Sequence, residues 1–262
     1  GILPKSELDS LRAELTEDAW RQEMDCDFDA AIPGAIWGRE LYQAEQDGRI
    51  TTVDYDHFVP VHTAWDLGYS DDTTIWTWQV VHGEIRFLDY HTSNGQSIPF
   101  YTGYIAQQEQ KYGVKYKAHY LPHDARAKTL ASGGKSIIEQ LSSKIPLKSM
   151  KIVPNLSLQD GIQAARMLLL RSWFDPRCEE GIECLRQYQR EYDEDKKIFR
   201  DKPRHDWASH GADAFRMAAV AWKEQARIPQ KDDSIKGLYV GQTEVSLNDL
   251  WKEQPRQTTG RI

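Results

Sequence analysis

Apolar positions along the chain fall into two rhythms, and the order in which they alternate predicts a fold. From residue 61 the rhythm is that of strands: Val61 to Leu67, Thr73 to Val81 and Ile85 to Tyr90 are rich in β-branched and aromatic residues, and His82-Gly83 supplies a tight connection between the last two. Those segments predict a three-strand meander. Beyond it the rhythm turns helical over Ser97 to Tyr112 and then alternates, with a strand at Tyr116 to Leu121, a helix at Lys135 to Ser143, a short strand at Lys151 to Val153 and a helix at Asp160 to Leu170. Glu179 to Tyr188 is also helical, and Glu191 to Arg200 is a polar hairpin or loop centred on Asp193 to Lys197. The long helix expected at His205 to Gln225 repeats Ala208, Ala212, Phe215, Ala219 and Trp222 at helical spacing, which predicts one broad buried face.

Before this region, Leu8 to Met24 and Gly38 to Gln46 read as amphipathic helices separated by the Pro33-Gly34 break, so residues 1–60 are expected to be a lead-in segment. Residues 228–262 are polar and lack a period, as a tail would. Residues 61–227 then form one α/β domain. Antiparallel strands first and crossover helices later predict a mixed five-stranded sheet, its first three strands antiparallel, with helices on both faces. That order, β-β-β-α-β-α-β-α, is the order of ribonuclease-H-like folds.

With 40% hydrophobic residues and nine tryptophans among 262, the composition is that of a folded chain rather than a disordered one. No apolar run approaches the roughly 18 to 20 residues of a membrane span, and no secretory signal opens the sequence, so a cytoplasmic location and no membrane partner are expected. Cys26, Cys178 and Cys184 match no zinc or disulfide spacing and are expected to be reduced, partly buried thiols. The net charge of -7 argues against tight, free-standing DNA binding, because affinity for phosphates comes largely from Lys and Arg. It is compatible with a carboxylate-rich site whose charge bound cations neutralise locally.

Three acidic signals carry the chemistry. Asp66 ends the first strand in Trp65-Asp66-Leu67-Gly68-Tyr69-Ser70-Asp71-Asp72, where a carboxylate after an apolar strand needs a partner such as a cation. The alternative is that Asp66 caps the turn while Gly68 supplies an unusual backbone angle. Asp124 stands at the exit of the fourth strand, in Pro122-His123-Asp124, where ligands collect in sheets of this kind, or where it simply forms a turn. Asp206, His210 and Asp213 share a stripe at the head of the last helix that continues into Met217 and Val220. Of these, Asp206 suits an N-cap, whereas Asp213 lies mid-helix where Asp has poor propensity. Small Gly211, Ala212 and Ala214 would let this helix approach the sheet and bring Asp213 beside Asp66 and Asp124. Hard oxygen ligands gathered there would select Mg²⁺ or Mn²⁺ over zinc.

Over residues 20 to 225 the sequence resembles the C-terminal nuclease domain of large terminase subunits from tailed phages or prophages. The resemblance rests on "RQEMDCDFDAAIPGAIWGREL", "TAWDLGYSDDTTIWTW", "YLPHDA", "LASGGKSIIEQL" and, most specifically, "PRHDWASHGADAFR". By that similarity Asp66, Asp124 and Asp213 match three metal-binding acids, His210 matches a histidine three residues before the last acid, and Asp71 or Asp72 takes an auxiliary position at the metal site. The resemblance implies an endonuclease with two Mg²⁺ or Mn²⁺ ions, cutting concatemeric duplex DNA with little sequence preference in the cytoplasm of an infected bacterium. Its implied partners are an ATPase motor domain, a small terminase subunit and the portal or procapsid. Arg126, Lys128, Lys135, Lys196, Lys197, Arg200, Lys202 and Arg204 are the candidates for phosphate contacts.

A phosphate loop for the motor is missing, since Ser132-Gly133-Gly134-Lys135-Ser136 lacks the upstream glycine. These residues are therefore expected to be an excised domain or natural fragment without motor activity. Three other readings stay open on sequence grounds. Asp66-Leu67-Gly68 through Thr73 nearly matches the phosphate loop of actin-like or sugar-kinase ATPases, the same acids would serve a Holliday-junction resolvase or ribonuclease H, and the acids would merely cap turns in a docking module.

Overall fold

The computed structural model describes residues 33–68, 71–128 and 133–227; the expected helix at Leu8 to Met24, Cys26 and the tail lie outside them. The β-branched and aromatic runs form the centre of the sheet. Strands β1 (Val61–Asp66), β2 (Asp72–Val81) and β3 (Glu84–Asn94) make the expected antiparallel meander, with Trp65 opposite Ile75 and Trp76 opposite Tyr90. His82 and Gly83 both carry positive φ, 51° and 87°, the backbone a two-residue hairpin turn requires. Helix α1 (Gly38–Gln46) precedes them, and α2 (Ile98–Tyr112) follows. Strand β4 (Tyr116–Leu121) lies parallel to β1, and β5 (Met150–Ile152) lies parallel to β4, with the one-and-a-half-turn helix α3 (Ile137–Leu141) between them.

The sheet has six strands rather than five. After α4 (Leu158–Leu169), residues Ser172–Phe174 form β6, which pairs parallel to β3 and completes the order β5-β4-β1-β2-β3-β6. A three-residue strand has no period to read, and Ser172–Phe174 is held by its place against β3 rather than by local propensity. Helix α5 (Glu179–Gln187) leads to β7 (Arg190–Asp193) and β8 (Ile198–Pro203), which pair as a separate hairpin in the polar segment. Helix α6 (Trp207–Arg227) closes the described region, and no described helix is long and apolar enough to cross a membrane.

Helices cover both faces because both faces of the central strands are apolar. On one face Ala64, Trp76, Trp78 and Phe87 meet α1, α4, α5 and α6 through residues such as Leu41, Leu168, Ile182 and Phe215. On the other, Trp65, Ile75 and Leu121 meet α2 and α3 through Tyr101, Ile105 and Leu141. On α6 the expected face is the buried one, with Ala208, Ala212, Phe215 and Ala219 fully enclosed. Cys178 and Cys184 are buried free thiols, and burial lifts both well above the ordinary thiol range, Cys184 to about 11. The segment expected as a lead-in is built into this core over its described part. Trp37 is fully buried and donates its indole N–H to the Ile162 carbonyl, while buried Arg49 donates to the carbonyls of Leu169 and Ser172 at 2.7 and 2.8 Å.

The hydroxyl and indole of Thr63 and Trp65 inside β1 are joined to His119 as a relay, whereas the buried Nδ1 of His62 on the same strand has no partner among the described residues. Trp65 Nε1 donates to Thr63 Oγ1 at 2.7 Å, so the Thr63 hydroxyl can give its own proton to His119 Nδ1, 2.8 Å away. His119 is a fitting acceptor, since burial first, and then neighbouring His62, push its pKa down to about 4 and keep the ring neutral. Thr63→Val keeps the volume but strands both partners. It is expected to cost about 2 kcal/mol or more, because each buried group left unpaired costs about 1 to 3 kcal/mol. Urea unfolding would read this as a lower midpoint at unchanged slope, and coincident midpoints would refute the relay.

Candidate metal centre

Asp66 is the last residue of β1, only partly exposed, at the edge where a strand buried on both faces reaches solvent. The following turn is closed by Thr73, whose hydroxyl donates to the Gly68 carbonyl at 2.7 Å and accepts from the Gly68 N–H at 3.1 Å. Gly68 serves this turn by taking no room rather than by an unusual angle. Its φ is not left-handed, and a Cβ there would come within 2.7 Å of the Asp71 carbonyl oxygen. The Asp66 carboxylate is thus left to face His210, whose Nδ1 lies 3.2 Å from Asp66 Oδ2 across 144 positions of sequence.

Helix α6 reaches that position because its head is fastened to β2. Thr74 Oγ1 donates to the His210 carbonyl at 3.0 Å and Trp76 Nε1 donates to the Gly211 carbonyl at 2.8 Å. Gly211 lets the two elements close, since a Cβ there would lie 2.7 Å from Cys184 Cβ and 2.8 Å from the Tyr90 hydroxyl. Asp206 is the cap of α6, its Oδ1 accepting the Ala208 N–H at 3.0 Å. One turn beyond His210, Asp213 is held by Arg216 through Nε at 3.1 Å and Nη2 at 2.8 Å, with the Tyr188 hydroxyl 3.4 Å away.

The electrostatics tie these groups into one centre. Burial raises the Asp213 pKa above the ordinary carboxylate range, the charge of Asp66 raises it further, and Arg216 and His210 oppose the rise. His210 is raised chiefly by its hydrogen bond to Asp66, with the charges of Asp66, Asp71 and Asp72 adding to the effect. Two carboxylates that repel at a strand end are relieved by a divalent cation between them, and oxygen donors of this type suit Mg²⁺ or Mn²⁺.

Asp124 sits on a short 3-10 turn (His123–Arg126) at the exit of β4, the parallel neighbour of β1, and its side chain is exposed. Pro122 and His123 from that turn share a cavity of about 150 Å³ with Asp213, Arg216 and Gly161. Asp66 and Asp124 therefore leave the sheet at the same end, and Asp213 borders the cavity beside the β4 exit. Asp66, Asp124 and Asp213 are not drawn into a single tight cluster. Among the described residues, the group of three His, Cys, Asp or Glu side chains with ligand atoms all within 4.8 Å of one another is Asp71, His205 and His210. Asp71 is the exposed member of the acidic pair, whereas Asp72 opens β2 opposite Asn94. His205 was not singled out by sequence; the signal available was its spacing of five from His210 across a helix start.

The basic candidates divide. Lys128 pairs with Glu139, Arg200 with Glu191 and Asp193, Lys202 with Glu191, and Arg204 with Asp206. Arg126 lies exposed beside Asp124, Lys135 is exposed ahead of α3, and Lys196 and Lys197 are exposed at the tip of the β7–β8 hairpin.

Comparison with known proteins bears on the fold. The large terminase of a thermophilic bacteriophage superposes with a TM-score of 0.54 at 15% identity, over 84% of this chain and 53% of that one. The ADP complex of the same terminase gives 0.51 at 16% identity, over 69% of this chain and 44% of that one. The P22 large terminase nuclease domain aligns with a TM-score of 0.47 and 16% identity, over 67% of this chain and 89% of that one. At such identities the likeness to the thermophilic phage terminase speaks for the fold alone, and the chain spans about half the length of that protein. No curated protein matches the sequence. The terminase RNaseH-like domain family matches residues 63–221, more than half of the chain, and the chain belongs to that family.

Proposed function

We propose that the chain is a metal-dependent endonuclease that cuts duplex DNA, acting on concatemeric phage genomes in the cytoplasm of an infected bacterium. The observation that carries the reading is the convergence of Asp66 from the end of β1 with His210 and Asp213 from the head of α6, beside the β4 exit that bears Asp124. Two Mg²⁺ or Mn²⁺ ions, when bound, supply Lewis-acid polarisation of the phosphate and a lowered pKa for the attacking water. Asp66, Asp124 and Asp213 would hold these ions through their carboxylate oxygens. Asp71 and Asp72 supply further negative potential at the mouth. His210, oriented through Nδ1 by Asp66, holds the nucleophilic water and takes part in moving its proton. Arg216, which pairs with Asp213 at 2.8 Å, would also offer its guanidinium to the scissile phosphate.

Arg126, exposed beside Asp124, and Lys196 and Lys197, exposed at the β7–β8 tip, are the stronger candidates for phosphate contacts, while the internal pairing of Lys128, Arg200, Lys202 and Arg204 fits a chain of net charge -7 that relies on others to hold the DNA. In the longer protein those others are an ATPase motor domain, a small terminase subunit and the portal or procapsid.

Plasmid nicking tests the reading. Supercoiled and linear duplex are expected to be cut in Mg²⁺ or Mn²⁺ and to stay intact in EDTA, with four-way junctions and RNA-DNA hybrids cut no faster than duplex. Cleavage that survives EDTA would overturn the metal requirement, and a strong preference for junctions or hybrids would move the chain to a resolvase or ribonuclease H.

A further inference from the structure

Beside the carboxylate centre, Asp71, His205 and His210 each offer a ligand atom, and these atoms lie within 4.8 Å of one another. Their hydrogen bonds decide which imidazole nitrogens are available. Ser209 Oγ spends its single proton on the Asp206 carbonyl at 2.7 Å, so toward His205 Nδ1, 3.1 Å away, it can only accept. That fixes the proton of neutral His205 on Nδ1 and leaves the Nε2 lone pair uncommitted. His210 is fixed likewise, because a carboxylate only accepts and Asp66 Oδ2 faces its Nδ1 at 3.2 Å. The two rings stand edge to face with centroids 5.5 Å apart, both anchored through Nδ1. Orientation of the distal nitrogen by a bonded carboxylate or hydroxyl is how proteins prepare histidine for a metal.

From this geometry we propose a second cation site, made by Nε2 of His205, Nε2 of His210 and the Asp71 carboxylate, that takes a borderline divalent transition metal such as Zn²⁺ or Co²⁺. Two nitrogens and one oxygen favour such ions over Mg²⁺, in contrast to the all-oxygen set of Asp66, Asp124 and Asp213. A tetrahedral ion with bonds of about 2.0 to 2.1 Å needs ligand atoms about 3.4 Å apart, so exposed Asp71 and His205 close inward while His210 stays fixed by Asp66 and Thr74. The positive end of α6 disfavours a cation, and the nearby carboxylates of Asp66, Asp71 and Asp72 offset it. An ion here ties the β1–β2 turn to the head of α6 and keeps a position open for water or phosphate. The site shares His210 with the proposed nuclease centre, so an ion here takes the Nε2 that the nucleophilic water would otherwise use, but its existence does not depend on that centre cutting DNA.

Co²⁺ alone is the probe, titrated into the full chain in a large excess of Mg²⁺ and followed by its visible absorption. One equivalent is expected to bind with the bands of nitrogen ligation, and His205→Ala and Asp71→Asn are each expected to weaken it at least about tenfold. Asp124→Ala should leave it unchanged. Co²⁺ binding that is equal in wild type and His205→Ala, or that is lost in Asp124→Ala alone, would overturn the site. A chain that binds Co²⁺ through His205 but cuts no plasmid would remove the nuclease reading and leave this site standing.

Discussion

Asp66→Ala is expected to reduce plasmid nicking at least about a thousandfold, equivalent to about 4 kcal/mol of lost transition-state stabilisation. The expectation follows from the contacts that Asp66 makes with the rest of the centre. It touches His210 directly, and its charge acts on Asp213, so on the proposed reading one substitution would remove a metal ligand, the orienting partner of His210 and a source of local negative potential. Folding should not suffer in proportion. Asp66 is only partly buried, and losing it relieves repulsion against desolvated Asp213, so the melting temperature without metal should be unchanged or slightly higher. Metal linkage separates this from a structural defect. Mn²⁺ at about 100 times its dissociation constant stabilises a binding-competent fold by about 2.7 kcal/mol, a gain expected in the wild type and absent in Asp66→Ala. Asp66→Asn retains an acceptor for His210 but not the charge, and should be as inactive as the alanine variant. A variant of either kind that cuts as well as wild type would sink the assignment of the centre.

What was legible in the sequence is what local chemistry determines. β1, β2 and β4 sit where β-branched and aromatic residues cluster, and α6 buries the alanine face its spacing predicts, because in each case many consecutive residues vote for one period. β6 was hidden because three residues express no period, and only the edge of β3 gives Ser172–Phe174 a reason to extend. The core role of residues 33–60 was hidden for a related reason. Arg49 looks like a surface charge until Leu169 and Ser172 turn their carbonyls toward it, 120 and 123 positions away.

The strand-end acids were legible one by one, each with a local turn or cap reading beside the ligand one, and what the sequence could not show is that parallel β1 and β4 send Asp66 and Asp124 out of the same end of the sheet. Asp71 and Asp72 could not be separated by reading, since alternation assigns a side only once the first paired residue of β2 is known. His205 gave even less, because its meaning depends on Ser209 and on a turn that lies far away in sequence.

Gly211→Val tests whether the close approach of α6 to the sheet is what assembles the centre. A Cβ at this position would lie 2.7 Å from Cys184 Cβ, 2.8 Å from the Tyr90 hydroxyl and 2.9 Å from Cys184 Sγ, all parts of buried side chains that have no solvent to move into. The helix must therefore shift, and the hydrogen bonds from Thr74 to the His210 carbonyl and from Trp76 to the Gly211 carbonyl stretch with it. Overpacking of this kind costs about 1 to 3 kcal/mol, and a misplacement of about 1 Å at reacting groups costs about a hundredfold in rate. Gly211→Val should accordingly lose both stability and nicking, with Gly211→Ala intermediate. Gly161 provides the contrast within the same cleft. A Cβ there would meet Arg216 at 3.5 Å, an ordinary contact, and alanine suits a helix interior better than glycine, so Gly161→Ala should keep activity and gain about 0.5 to 1 kcal/mol. If Gly211→Val retained wild-type nicking and unfolded at the same urea concentration, α6 would have room to spare, and the spacing between Asp66 and Asp213 would have to be set by something other than this contact.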